Sequence, residues 1–243
     1  MVFLRRNFGI LAVLILSLWA VRPLFVGGFF PMHDDTQVAR VFEMGKVLAS
    51  GTFPVRWVPD LGYGYGYPIF NFYAPLAYYV GGAFTLLGFD ALLATKIMMA
   101  LGIVLAGLFM YLLTREFFGE LGGIVSGLFY VYAPYHALDI YVRGDVAEFW
   151  SYAFIPLAFL GFYRNNILIG SIGFAAIILS HNLTAMMITP FLIIVAFLNC
   201  YIAFRNKKSF IVNPSSLILL LGLALSAFYW IPALLEMKYT NVL

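Results

Sequence analysis

The chain has 243 residues, 63% hydrophobic and only 10% charged, with a formal net charge of +3. That balance excludes an ordinary soluble domain and a disordered one. The small basic excess sits at segment ends, where it reports topology and not a nucleic-acid surface. Cys200, the only cysteine, lies inside an apolar run, so no disulfide framework exists.

Residues 8–26 form the first apolar span, preceded by Arg5 and Arg6. Trp19, Arg22 and Pro23 stand where a secretory signal would carry small residues for cleavage, so this span is expected to remain as an uncleaved first helix. Just beyond it comes the triplet His33-Asp34-Asp35. Adjacent carboxylates at a membrane boundary repel each other and are costly to dehydrate, a cost tolerated for a metal, a proton transfer or a partner cation.

From Thr36 to Ala49 the apolar residues Val38, Val41, Phe42, Met44, Val47 and Leu48 alternate with Gln37, Arg40, Glu43 and Lys46. The pattern predicts a short amphipathic helix on the membrane surface, with Asp35 or Thr36 as its N-cap. Gly51 ends it, and the run from Gly62 to Tyr67 alternates glycine with tyrosine, which predicts a mobile backbone carrying aromatic rings.

Residues 69–88 are apolar but broken by Pro75, Gly81, Gly82 and Gly88. Further spans are expected at 91–113, 120–138, 149–163, 167–181, 183–204 and 216–235, each near the roughly 20 residues that a hydrocarbon core demands. If 69–88 does not cross, Arg5, Arg6, Arg115, Arg164, Arg205, Lys207 and Lys208 all share one side. The positive-inside rule therefore predicts an interfacial or re-entrant segment and about seven spans, with the N-terminus in the cytoplasm.

The same parity places His33, Asp34, Asp35, Asp139, Arg143, Asp145, Glu148 and His181 together on the extracytoplasmic side. The expected architecture is an all-α polytopic membrane protein of a single domain, 1–243. Its parts are a first helix (1–26), a long external loop (27–90) and the remaining helices (91–243). A second external loop, Asp139 to Glu148, carries the densest charge in the chain.

An inside N-terminus, a long first external loop opening on paired carboxylates, and a charged second loop together resemble the GT-C superfamily of membrane glycosyltransferases. The wording from His33 to Gln37, from Tyr63 to Pro68 and from Asn71 to Leu76 is similar to one prokaryotic branch. Members of that branch often carry the label 6-pyruvoyl-tetrahydropterin synthase-related membrane protein. Nothing in the chain resembles a soluble zinc-binding pterin fold.

The resemblance implies a GT-C-like bundle in the plasma membrane of a prokaryote. It would transfer a hexosyl or pentosyl unit from a polyprenyl-phosphate donor to an unknown acceptor on the outer face, with inversion. It also implies further spans, so the chain is expected to be the N-terminal part of a longer protein or to work with a partner chain. The superfamily's acidic motif maps onto Asp34 and Asp35: Asp34 as base or metal-orienting carboxylate, Asp35 assisting or merely capping the amphipathic helix. Some members use Mg²⁺ or Mn²⁺, for which Asp34, Asp35 and Glu148 are the candidate ligands, though no ligand spacing is diagnostic.

Arg143 is a candidate phosphate grip, or an ion-pair partner of Asp139, Asp145 and Glu148. Lys96 contacts the donor phosphate or snorkels to the interface. His33, Asp145, Glu148, Tyr65, Tyr67 and His181 complete the candidate substrate contacts, the tyrosines serving equally as an interfacial belt. Two other readings stand beside the enzyme: a non-catalytic protein that binds or assembles lipid-linked glycans, and a transporter. The near absence of mid-membrane charge and of an inverted repeat disfavours the last.

Overall fold

The computed structural model describes residues 8–205 and 213–240. Arg5, Arg6, Lys207 and Lys208, on which part of the topology reading rests, lie outside the described residues. Helix α1 (Phe8–Val21) continues into a 3-10 turn, Arg22–Phe25. Then come α2 (Gln37–Ala49), α3 (Ile69–Phe72), α4 (Leu76–Leu86), α5 (Ala91–Val131), α6 (Pro134–Leu138) and a π turn at Asp139–Arg143. Helices α7 (Val146–Tyr163), α8 (Ile167–Ser180), α9 (Asn182–Arg205) and α10 (Pro214–Glu236) complete the described chain. Among the described residues, five stretches are long and apolar enough to cross a membrane: Phe8–Phe25, Ala91–Arg143, Val146–Tyr163, Asn182–Arg205 and Pro214–Tyr239.

Helix α5 is not one rod. Gly119 adopts φ +69°, a left-handed conformation that glycine reaches without steric penalty, and the chain reverses there. A Cβ on Gly127 would lie 2.8 Å from the carbonyl oxygen of Gly107. In a continuous helix residues so far apart would be separated by about 30 Å. The limbs 91–118 and 120–131 therefore pack as an antiparallel pair, with α1 laid against them so that its Gly9 amide donates to Glu120 Oε1 (2.8 Å).

Glycine at contact points also sets the distance between α7 and α8, where Gly161 meets Gly170 and Gly173 meets Ala158. Small residues let apolar helices approach closely where no hydrophobic force drives them together. The core runs through this bundle on Trp150, Phe149, Phe162, Phe174, Met98 and Met99.

Helix α4 has 11 residues, so it spans about 16 Å and falls short of a core of about 30 Å. It lies instead along α2, with Gly81 against Val41 and Gly82 against Met44. The two ends of the bundle differ. Glu116 pairs with Arg164 near the Gly119 reversal, so Arg115, Arg164 and Glu120 share that end. The termini of α7, α8 and α10 that carry Asp145, His181 and Glu236 lie at the other end, together with α2 and α3.

Three expectations change. Neither Asp35 nor Thr36 caps α2 with its side chain; the Thr36 hydroxyl turns back to Asp34 Oδ1 (2.7 Å). Helix α7 begins at Val146 and not at 149, because Asp145 accepts from the Glu148 amide, which puts Glu148 in the first helical turn. The second limb of α5 stops at Val131, and 134–143 forms a separate short helix and π turn.

Candidate functional site

The charged motifs of the two loops meet through the backbone. The His33 amide donates to the Val142 carbonyl (2.9 Å) and the Asp34 amide to the Arg143 carbonyl (2.8 Å). Gly144 permits this approach: its φ is +71°, and a Cβ would collide with the Met32 sulfur and lie 2.7 Å from the Asp34 carbonyl oxygen. Gln37 locks the junction. Its side chain is fully buried, donates Nε2 to the Gly144 carbonyl (2.7 Å) and accepts from the Tyr78 hydroxyl at Oε1 (2.7 Å).

Two adjoining ion clusters result. In the first, Arg40 Nη1 donates to Asp34 Oδ2 (2.7 Å) and to the Tyr78 hydroxyl (3.2 Å), and its guanidinium lies over the Tyr73 ring at 4.7 Å. Burial alone would lower the pKa of Arg40, but Tyr78, Tyr73 and Asp34 outweigh it and hold the group above its ordinary value. Among the described residues, Nη2 and Nε of Arg40 have no hydrogen-bond partner, so one edge of this cation is unspent.

In the second cluster, Arg143 Nη1 donates to Asp139 Oδ1 (2.6 Å), Glu148 Oε2 (2.8 Å) and the Tyr135 hydroxyl (2.7 Å), and Nη2 reaches Asp145 Oδ2 (3.3 Å). Tyr135 and Tyr152 both donate to Glu148 Oε1. Asp139 is fully buried, with one oxygen on Arg143 and the other without a hydrogen-bond partner. Burial, followed by the nearby Glu148, pushes its carboxyl up to about 7 against the pull of Arg143. Arg143 itself is held above its usual range: burial opposes this, and the bond to Glu148 with the charge of Asp139 prevails.

The remaining candidates are placed less centrally. Asp35 and His33 are exposed at the rim. Lys96 is buried; its Nζ donates to the Val26 carbonyl (2.8 Å), at the end of the first span. His181 pairs with the Thr184 hydroxyl (2.8 Å). Its neighbour Asn182 bonds the Phe72 carbonyl (3.1 Å) and the Tyr229 hydroxyl (2.7 Å).

The tyrosine run is a turn closed by the reciprocal Val58–Tyr67 backbone bonds (3.0 and 2.8 Å), with Tyr63 and Tyr65 fully outward. Tyr67, Phe72, Asn182, Tyr229 and Trp230 line an apolar groove of about 680 Å³ open beside this end. Asp34, Asp35 and Glu148 do not converge as a ligand set. Among the described residues, the carboxylates whose oxygens lie within 4.8 Å of one another are Asp139, Asp145 and Glu148. Their oxygens would suit a hard cation, but Arg143 bonds to each of them. The set fits the guanidinium it already holds and not a bare divalent ion.

Sequence reasoning missed Arg40, Gln37, Tyr78 and Tyr135. Arg40 and Gln37 read as the polar face of an amphipathic helix; only the contact with α4 and Gly144 turns that face inward. The available signal was the glutamine and arginine three residues apart, directly after the acidic triplet.

An all-helical membrane protein with one charge-dense end, built from two loops joined by backbone bonds, is the class that this fold and site define. The chain belongs to the family described as 6-pyruvoyl-tetrahydropterin synthase related domain; membrane protein, whose model matches residues 70–241. The match contains the Asp139–Glu148 cluster and leaves the acidic triplet outside it. An uncharacterized protein of Lactococcus lactis subsp. cremoris (strain MG1363) is 23% identical over 257 residues, covering 97% of this chain. The chain spans 41% of that relative's length. No solved structure matches.

Proposed function

We propose that this protein is a GT-C-type glycosyltransferase module that moves a sugar from a polyprenyl-phosphate donor to an acceptor at the charged end of the bundle. The observation that carries the reading is the ion pair of Asp34 with Arg40 (2.7 Å), where the second loop docks on the backbone of His33 and Asp34 and leaves Arg40 Nη2 without a partner among the described residues. Inverting transfer needs that combination. Asp34, with Asp35 beside it, takes the proton from the acceptor hydroxyl as its oxygen bonds to the sugar's anomeric carbon. The bond from that carbon to the donor phosphate breaks, and positive charge stabilises the departing oxygen.

Arg40 is the better phosphate partner, since Arg143 spends both ends of its guanidinium on three carboxylates. The groove beside Tyr67 and Trp230 suits the apolar chain of the donor. Arg143 occupies the carboxylate set that Mg²⁺ or Mn²⁺ would need.

The proposal places the charged end outside the plasma membrane of a prokaryote, with seven crossings and the Arg115–Arg164 end in the cytoplasm. The resident Arg143 cluster also favours a second reading, a non-catalytic holder of lipid-linked glycans. Asp34→Asn separates the two. A transferase loses turnover by about 10²-fold or more while retaining donor binding. Unchanged transfer by the variant refutes the catalytic role.

A further inference from the structure

On the flank of the bundle away from the Trp230 groove, two apolar hollows meet at Trp19 and Tyr132. The outer one, about 690 Å³, runs down the lipid-facing surface past Leu16 and Leu128. The inner one, about 330 Å³, passes between α1 and the second limb of α5 toward Val131, Ala137 and Ile140. Trp19 and Tyr132 line both. Arg22, exposed and stacked over the Trp19 ring at 5.2 Å, lines the outer hollow.

Among the described residues Arg22 has no carboxylate within 4.0 Å and no hydrogen-bond partner, unlike Arg40, Arg115, Arg143 and Arg164. The Tyr132 hydroxyl is bonded to the Leu16 carbonyl (2.6 Å) and the Tyr141 hydroxyl to the Ala20 carbonyl, while His136, on the inner wall, has no side-chain hydrogen bond among the described residues. An unpaired cation on the outer hollow, with the inner hollow joined to it at Trp19 and Tyr132, matches a ligand with one anionic head and two chains.

We infer that this flank binds a diacyl phospholipid with an anionic headgroup. The phosphate lies on Arg22, one chain in the outer hollow and the other in the inner. The inference is independent of the transferase reading. A polyprenyl phosphate has one chain and would leave the second hollow unfilled.

The test uses full-length protein, stripped of lipid in detergent and re-equilibrated with equal amounts of phosphatidylglycerol and phosphatidylcholine, the retained lipid being counted by native mass spectrometry. Phosphatidylglycerol should be retained about fivefold over phosphatidylcholine, the scale of one surface cation, and Arg22→Gln should remove that preference. Ala137→Phe, at an exposed position on the wall of the inner hollow, should abolish the preference for diacyl over lyso-phosphatidylglycerol while leaving the headgroup preference intact. Equal retention of the two headgroups, or an Arg22→Gln variant that still discriminates, overturns the proposal. Displacement of the bound phospholipid by a short-chain isoprenyl phosphate overturns it too, by giving the site to the sugar donor.

Discussion

Gln37 is the residue whose removal tests whether the two loops work as one unit. Arg40 donates to the Tyr78 hydroxyl, that hydroxyl donates to Gln37 Oε1, and Gln37 Nε2 donates to the Gly144 carbonyl, so one buried chain of hydrogen bonds crosses three segments. Gln37→Leu preserves volume and deletes two bonds of 2.7 Å and a longer one to the Asp34 carbonyl, leaving the Gly144 carbonyl on the Val146 amide alone and the buried Tyr78 O–H without an acceptor. The orphaned O–H costs roughly 1–3 kcal/mol, so the variant should lose about 2 kcal/mol. Tyr78→Phe removes one link and one acceptor of Arg40, and should cost about 1–2 kcal/mol.

The two changes share a bond, so the double variant should be less destabilised than their sum, by about 1 kcal/mol. Denaturant titration in detergent micelles, read by tryptophan fluorescence, measures all three. A loss below about 0.5 kcal/mol for Gln37→Leu, or strict additivity, would refute the proposal that this amide joins the loops.

Asp139 gives a pH dependence with a defined sign. Its folded-state pKa of about 7 lies above the ordinary 3.8, so the folded protein holds the proton more tightly. Stability should therefore fall as pH rises from about 4 to about 7, by at most about 1.4 kcal/mol per pH unit. Asp139→Asn should flatten that slope in melting experiments, and an unaltered slope would assign it elsewhere. Gly127→Ala drives a methyl against the Gly107 carbonyl and should cost about 1–3 kcal/mol in the same titration. In a Cys200→Ser background, an impermeant thiol reagent applied to intact cells should label Thr36→Cys and spare Asn165→Cys. Labelling of both would contradict the placement of the two ends on opposite sides of the membrane.

The long apolar runs were legible in the sequence because bilayer thickness dictates their length, and most observed helices begin and end within a few residues of the expected ones, the limb that stops at Val131 being the exception. The reversal at Gly119 lay between two expected spans for the same reason. Boundaries set by single hydrogen bonds were not legible: Asp145 accepting from Glu148 moved the start of α7, and Thr36 bonding Asp34 left α2 uncapped.

The candidate site was legible as a composition of charges and not as a set of partners. The ion pairs expected for Arg143 are present with all three carboxylates. The partner of Lys96, the Val26 carbonyl, could not be read from the sequence, because it depends on where a distant backbone group falls. Arg40 stayed hidden because the face of an amphipathic helix cannot say whether water or protein will cover it.

The pairing of the two loops also imposes an order on synthesis. Gln37 leaves the ribosome 107 positions ahead of Gly144, the group it will bond. Until both limbs of α5 have emerged and entered the bilayer, the acidic triplet has no backbone to dock on. For that interval the first loop is an open, unsatisfied surface, and a pause or an early stop in translation would strand it there for proteases and chaperones to find.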